Sequence, residues 1–261
     1  MFETIRIARD DRGIATLWLA RPEKHNALSA AMIDELTQAA VHLGQDAGIR
    51  AVILAAEGQS FCAGGDLGWM RAQIEADAPT RRAGARALAM MLHALNEMPK
   101  PLIGRVQGNA FGGGVGMISV CDVAIAAHGA RFALTETRLG LIPATIGPYV
   151  LARMGENKAR RVFMSGRVFG SEEAVSLNLL AASHEPGALD AAIEAEVVPY
   201  LSTAPKAVGA AKRLARRLGP PIGAAEIEHS IEALVAVWED DEARHGIEAF
   251  FAKEKPRWQQ G

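Results

Sequence analysis

The chain has 261 residues, 49% hydrophobic and 22% charged, enough for one large domain or a domain with an appendage. A formal net charge of −2 gives no electrostatic case for nucleic acid or an anionic membrane. Two cysteines, Cys62 and Cys121, are too few for a disulfide framework and fit a reducing compartment. Met1 to Asp10 carries no apolar signal core, and no apolar run reaches bilayer-spanning length, so a cytoplasmic location with no membrane partner is expected.

In chain order, Ile5–Ala8 and Gly13–Ala20 read as strands around the Asp10-Asp11-Arg12-Gly13 turn. After a loop at Arg21–Asn26, Ser29 is a candidate N-cap for an amphipathic helix ending near Gly44. Ala51–Ala56 has the continuous apolar character of a strand buried on both faces. A glycine loop follows, Phe61-Cys62-Ala63-Gly64-Gly65-Asp66-Leu67, and then helix from Leu67 to Asn96 interrupted at Pro79. Pro101–Val106 reads as a strand entering a second glycine loop, Gly108-Asn109-Ala110-Phe111-Gly112-Gly113-Gly114. That loop opens a helix at Gly113–Val120, and Asp122–Ala126 returns as a strand. Strand, loop and helix alternate through the first two-thirds, which argues for α/β. From Pro186-Gly187 the remainder reads as helical, broken at Ser202–Pro205 and Gly219–Pro221, and Arg213, Arg216 and Arg217 read as a solvated helix face.

Glycines remove the side chains that would keep a backbone from a ligand. Two glycine loops can each offer one backbone N–H to the same oxygen, which is what an oxyanion hole requires. The sequence carries no Ser-His-Asp order, metal-ligand cluster or Walker loop, so the chemistry these loops point to is stabilisation of an enolate. Cys62 adjoins the first loop without a histidine or aspartate placed to activate it. His25 reads as an exposed loop residue, His93 as part of a long helix, and Trp69 and Met70 as wall or core.

The two loops, their order and their spacing resemble the crotonase family, the enoyl-CoA hydratase/isomerase superfamily. The resemblance runs from Asn26-Ala27-Leu28 through Ala63–Leu67, Gly112–Gly114, Cys121-Asp122 and Glu136 to Leu139-Gly140-Leu141-Ile142-Pro143, and ends at Ala249–Lys253. It implies a crotonase (ClpP-like) fold: a spiral of ββα units over residues 1–197 holding the acyl-CoA site, then a C-terminal helical trimerisation region at 198–261. By family correspondence the enolate donors are the N–H groups of Ala63 and Gly113, each worth roughly 3–4 kcal/mol at the transition state. The loop Ala63, Gly64, Gly65, Asp66, Leu67 should border the thioester, with Asp66 holding the loop's shape or capping the following helix. Phe250 and Lys253 match the family's terminal helix, which contacts CoA bound to a neighbouring subunit. The partners implied are an acyl-CoA and copies of the same chain, as a homotrimer or dimer of trimers; CoA enters with the substrate and no other cofactor is implied.

One departure restricts mechanism. Family hydratases use two glutamates, the first two residues after the triple glycine, where this chain has Gly116; the second position is occupied, by Glu136. A single glutamate can shift a proton between carbons, as an isomerase does, or pass a proton from water to C2 on one face of the alkene. Finer resemblance in Asp66–Met70, Phe111–Gly116 and Glu136–Ala144 is to bacterial 3-methylglutaconyl-CoA and isohexenylglutaconyl-CoA hydratases. Their substrates carry a carboxylate of their own, for which Arg138 is the nearest candidate cation. The reading is therefore an enoyl-CoA hydratase for a branched or carboxylated acyl group, with Glu136 as acid/base. The rivals are an enoyl-CoA isomerase, a non-catalytic acyl-CoA-binding protein and a decarboxylase of malonyl-type thioesters.

Overall fold

A computed structural model describes residues 2–259; Met1, Gln260 and Gly261, the outermost residues of the two expected regions, lie outside the described residues. The hairpin forms as β1 (Ile5–Arg9) and β2 (Ile14–Leu19), antiparallel, with Ile5 opposite Leu19. Helix α1 (Ala30–Gln45) begins where Ser29 Oγ accepts from the Met32 N–H at 3.2 Å. Its inward stripe, Met32, Ile33, Leu36, Ala39, Ala40 and Leu43, has the three-four spacing of a helix buried on one face. Then come β3 (Ala51–Ala56), β4 (Ser60–Cys62), α2 (Leu67–Glu75) and α3 (Ala78–Glu97). The break between α2 and α3 precedes the proline. Asp77 caps α3 by accepting from the Thr80 N–H at 2.9 Å, and Pro79 sits in the first turn, where its missing N–H costs nothing.

The spiral unfolds from here. β5 (Leu102–Val106) leads to β6 (Asn109–Phe111) and α4 (Gly113–Val120); β7 (Val123–Ala127) leads to β8 (Arg131–Ala133) and a 3₁₀ turn at Glu136–Leu139. The chain continues through α5 (Gly147–Met154), α6 (Glu156–Phe163), β9 (Phe169–Gly170), α7 (Ser171–Ser176) and β10 (Ala182–His184). It closes with α8 (Leu189–Val197), α9 (Pro205–Leu218), α10 (Ala224–Trp238) and α11 (Asp241–Ala252).

The pairs β3–β4, β5–β6 and β7–β8 each contribute their first strand to one sheet, ordered β1-β2-β3-β5-β7-β10, and their second to another, ordered β4-β6-β8-β9. Beyond the first hairpin the larger sheet is parallel. Parallel strands covered on both faces read as unbroken apolar runs, which is why Ala51–Ala56 was legible without alternation. The ends of β4, β6 and β8 stand side by side, so the loops that follow them emerge at one edge.

The helical tail packs on the chain's own core. α10 lays Ile227 and Ile231 against Ala85 and Ala89 of α3, and Ala243 and Ile247 of α11 pack with Leu141. α9 is held by Lys212, whose Nζ donates to Asp122 Oδ2 at 2.7 Å and to the Lys100 carbonyl at 3.0 Å. Burial depresses the Lys212 pKa against the opposing pull of Asp122. Arg213 and Arg217 are exposed, as a solvated face requires, while Arg216 approaches Asp122 at 3.6 Å.

α11 meets the 3₁₀ turn backbone to backbone. A Cβ at Gly246 would lie 2.5 Å from the Leu139 carbonyl oxygen, and one at Gly140 2.5 Å from that of Glu242. Gly246→Ala should therefore force the tail off the turn. We expect a loss of about 1–3 kcal/mol, the usual cost of overpacking, seen as a fall of several degrees in Tm by calorimetry.

Candidate active site

The loops after β4 and β6 touch. Gly112, with φ 48°, would place a Cβ 3.9 Å from Gly64 Cα, and Gly64, with φ 96°, would place one 3.3 Å from the Phe111 carbonyl oxygen. Both angles are in the left-handed region that favours glycine. With the Glu136 turn, these loops border a cavity of ≈490 Å³ whose walls are mostly apolar. Ala63, Gly64, Gly65, Leu67, Gly112, Gly113, Glu136 and Arg138 all line it.

The backbone hydrogen bonds identify which amides are free. The Ala63 N–H donates to the His25 carbonyl at 3.0 Å, so it is not available to a thioester. The Gly64 N–H points at Cys62 Sγ, 3.5 Å away. Leu28 forms a parallel bridge with Gly65, in which the Leu28 N–H donates to the Gly64 carbonyl and the Asp66 N–H to the Leu28 carbonyl. In such a bridge the N–H of Gly65 itself faces away from Leu28, and among the described residues it has no acceptor. This corrects the expected donor: within the loop the unpaired amide belongs to Gly65, two residues beyond Ala63.

Gly113 lines the cavity from the second segment. It is the first residue of α4, so its N–H has no intrahelical partner, and the amide before it, on Gly112, is taken by the Ala133 carbonyl at 2.9 Å. A Cβ at Gly113 would strike Leu28 Cδ1 at 2.5 Å, so glycine is needed for the close approach. The two unpaired amides, of Gly65 and Gly113, therefore border the same cavity from separate segments.

The loop is anchored from behind. Asn26, fully buried with φ 53°, donates to the Glu57 and Ser60 carbonyls at 2.8 and 2.9 Å and accepts from the Arg21 N–H. Asp66 caps α2 by accepting from the Gly68 and Trp69 amides, and its other oxygen pairs with Arg21 at 3.1 Å. Burial pulls the Asp66 carboxyl upward, but the Trp69, Arg21 and Gly68 hydrogen bonds and the Arg21 charge together hold it below its usual value. Asp66 is not part of the cavity wall; it shapes the loop and caps the helix. His25 Nδ1 lies 3.2 Å from Ser60 Oγ at an exposed position, and Cys62 is an inert thiol that burial pushes up to about 12.

Glu136 reaches the cavity from the 3₁₀ turn. A Cβ at Gly112 would come within 2.9 Å of Glu136 Oε1, so the carboxyl rests against bare backbone. Part of the residue is open to the cavity, yet Oε2 is buried and has no hydrogen-bond partner among the described residues. Burial raises its pKa from the ordinary 4.5 to about 7. A buried acid held near neutrality in a cleft is the arrangement a general acid/base requires. Arg138, two residues on, also lines the cavity, and its guanidinium has no ion pair among the described residues.

Phe250 of α11 lines the cavity of its own chain, whereas Lys253 does not; it ends the helix with φ 57°. Sequence reasoning missed most of the apolar wall, including Leu28, Ile33, Leu88, Ile146, Leu234 and Trp238. These residues come from elements far apart in sequence and carry no motif. Trp69 and Met70, read as wall or core, are wall.

A two-sheet ββα spiral with unpaired amides and a buried carboxyl on one cavity is the arrangement of the crotonase class of acyl-thioester enzymes. Residues 9–261 match the enoyl-CoA hydratase/isomerase family. A crystal structure of an enoyl-CoA hydratase from Shewanella pealeana superposes with a TM-score of 0.81 at 35% identity, covering 99% of this chain and 97% of that one. One from Mycobacterium smegmatis gives 0.80 at 33%, covering 99% and 100%. The enoyl-CoA hydratase ACTT6 of Alternaria alternata is 31% identical over 78% of this chain and 67% of its own length. The chain belongs to the enoyl-CoA hydratase/isomerase family and is an enzyme of the enoyl-CoA hydratase type.

Glu136 makes stability depend on pH. Its folded pKa lies above the unfolded one, so the folded state holds the proton more tightly. Its contribution is fully present below about pH 4.5 and is lost as pH rises toward 7. The span corresponds to an upper limit of about 3 kcal/mol. Glu136→Gln should remove this dependence, so denaturant melts should find the variant more stable than wild type at pH 8 and little changed at pH 4.5.

Proposed function

We propose that the enzyme adds water across the 2,3 double bond of a branched, carboxylated 2-enoyl-CoA such as 3-methylglutaconyl-CoA. The observation that carries the reading is the single carboxyl of Glu136, its Oε2 without a hydrogen-bond partner among the described residues, in a cavity bordered by the unpaired amides of Gly65 and Gly113. The Glu136 carboxylate takes a proton from water as the oxygen bonds to C3. The alkene electrons move onto the thioester oxygen, and the two amides hold that enolate, assisted by the positive end of α4. Collapse of the enolate takes the proton from Glu136 to C2, so both additions occur on the face that carries the carboxyl. The reverse sequence dehydrates the 3-hydroxyacyl thioester. The reaction as written needs no resident metal, nucleotide or redox group, since CoA arrives as part of the substrate.

Arg138 supports the carboxylated acyl group, because it is the unpaired cation on the wall of that cavity. The absence of a carboxylate at Gly116 favours a second reading, isomerisation, in which Glu136 removes the C2 proton of a 3-enoyl-CoA and returns it to C4. Assembly as a homotrimer or dimer of trimers belongs to the same proposal, supported by the exposed apolar side chains Met164, Leu214 and Leu218.

Comparing 3-methylglutaconyl-CoA, crotonyl-CoA and 3-hexenoyl-CoA tests these readings. Hydration removes the conjugated enoyl absorbance, whereas isomerisation creates it. We expect the highest kcat/KM for 3-methylglutaconyl-CoA; preference for 3-hexenoyl-CoA would establish the isomerase instead. Glu136→Gln should lower kcat by about 10²–10⁴, the range for general acid–base catalysis. Arg138→Gln should raise KM about tenfold for the carboxylated substrate and leave crotonyl-CoA unaffected. An unchanged ratio between the two substrates would remove Arg138 from recognition.

A further inference from the structure

The N-cap of α4 and the helix's first turn carry two glycine seats four residues apart. Gly112 receives the carboxyl of Glu136, with Oε1 2.9 Å from where a Cβ would stand. Gly116 receives Ile146, whose Cγ2 lies 2.5 Å and Cβ 3.0 Å from the corresponding point. The seats are joined by the helical hydrogen bond from the Gly116 N–H to the Gly112 carbonyl at 3.1 Å. Gly112 is the N-cap of α4 and Gly116 lies in the turn that follows, and Ile146 and Glu136 line the same cavity. The space beside the carboxyl is thus filled by an isoleucine supplied from another element.

The backbone holds Ile146 in that seat. It is the N-cap of α5, and its carbonyl accepts from the Tyr149 and Val150 amides at 3.2 and 3.0 Å. Its side chain is 2% exposed, yet the residue borders the catalytic cavity. On the far side of the seat, Leu92 Cδ1 of α3 lies 3.6 Å from the Gly116 Cβ point. The atoms nearest the Gly116 seat are therefore aliphatic.

We infer that Ile146 is a positioning residue for the reaction of Glu136: seated on Gly116, it forms the dry wall beside the carboxyl and excludes a second water or acid from that side. Proton traffic is thereby committed to one group on one face of the alkene. The inference rests on Glu136 being the acid/base. It also explains why the glycine at position 116 is more than an omission, since any side chain there displaces Ile146. The charged groups sharing the cavity are Arg138, from the same turn as Glu136, and Glu254, beyond α11; among the described residues α2, α3, α4, α5 and α10 place no charge on its wall.

The test is the pH profile of kcat/KM for the preferred substrate, in wild type, Ile146→Val, Ile146→Ala, Gly116→Ala and Glu136→Gln. The wild-type acid limb is expected near pH 7, activity rising as Glu136 ionises. Ile146→Ala admits water beside the carboxyl, and Gly116→Ala pushes the isoleucine away. Both should move the limb down by about one pH unit through easier solvation of the carboxylate. Ile146→Val keeps the wall and should keep the wild-type limb. Circular dichroism melts identify variants that fail to fold, and Gly116→Ala carries the test if Ile146→Ala is one of them. An unmoved limb in a folded Ile146→Ala or Gly116→Ala protein overturns the role of Ile146. An active Glu136→Gln enzyme instead overturns the acid/base reading on which it rests.

Discussion

The structure depends on backbone reaching backbone at the N-terminus of α4. Three segments meet there: the loop after β4, the first residues of α4 itself, and the turn bearing Glu136. A Cβ at Gly114 would lie 2.7 Å from the Cys62 carbonyl oxygen and one at Gly64 3.3 Å from that of Phe111, while at Gly112 one would meet the Glu136 carboxyl at 2.9 Å. Among the described residues, close approach leaves two amides without protein acceptors and one carboxyl oxygen, Glu136 Oε2, without a donor. Unsatisfied groups of this kind are costly in a folded interior, and here they are gathered at one cavity.

That cost is contained by what lies behind the site. Asn26 and Arg21 tie the first loop to the chain before it and to Asp66, fixing the peptide plane that aims the Gly65 N–H. The Glu136 turn is held by α11 through the glycine contacts at Gly140 and Gly246. The C-terminal helices therefore act on the site of their own chain, as roof and support, and Phe250 reaches the cavity as part of that roof. The same enclosure that makes the cavity walls mostly apolar also raises the affinity of Glu136 for its proton, so both have one physical source, burial.

Comparison of the Ala63 and Gly65 amides separates motif from mechanism. The run Ala63-Gly64-Gly65-Asp66 marks a loop that borders the cavity, but sequence gives no sign of which N–H is free. The answer is decided by Leu28, more than thirty positions earlier, whose bridge with Gly65 consumes the flanking groups, and by His25, whose carbonyl takes the Ala63 proton. Pro79 is a smaller instance. Its presence signals a boundary, but the Asp77 cap decides that it begins a helix instead of ending one.

The sequence by itself determined the α/β class, the hairpin, α1 and its Ser29 cap, the buried strand Ala51–Ala56, the start of α4 and the place of Glu136 in the chain. These follow from local causes: periodicity, capping chemistry and the conformations open to glycine. Only the tertiary structure decided the division into two sheets, the choice of Gly65 over Ala63, the apolar wall, the seating of Ile146 on Gly116 and the folding of α11 over its own cavity. Those depend on which atoms meet across long stretches of chain, and a local pattern of residues does not specify the partner on the other side.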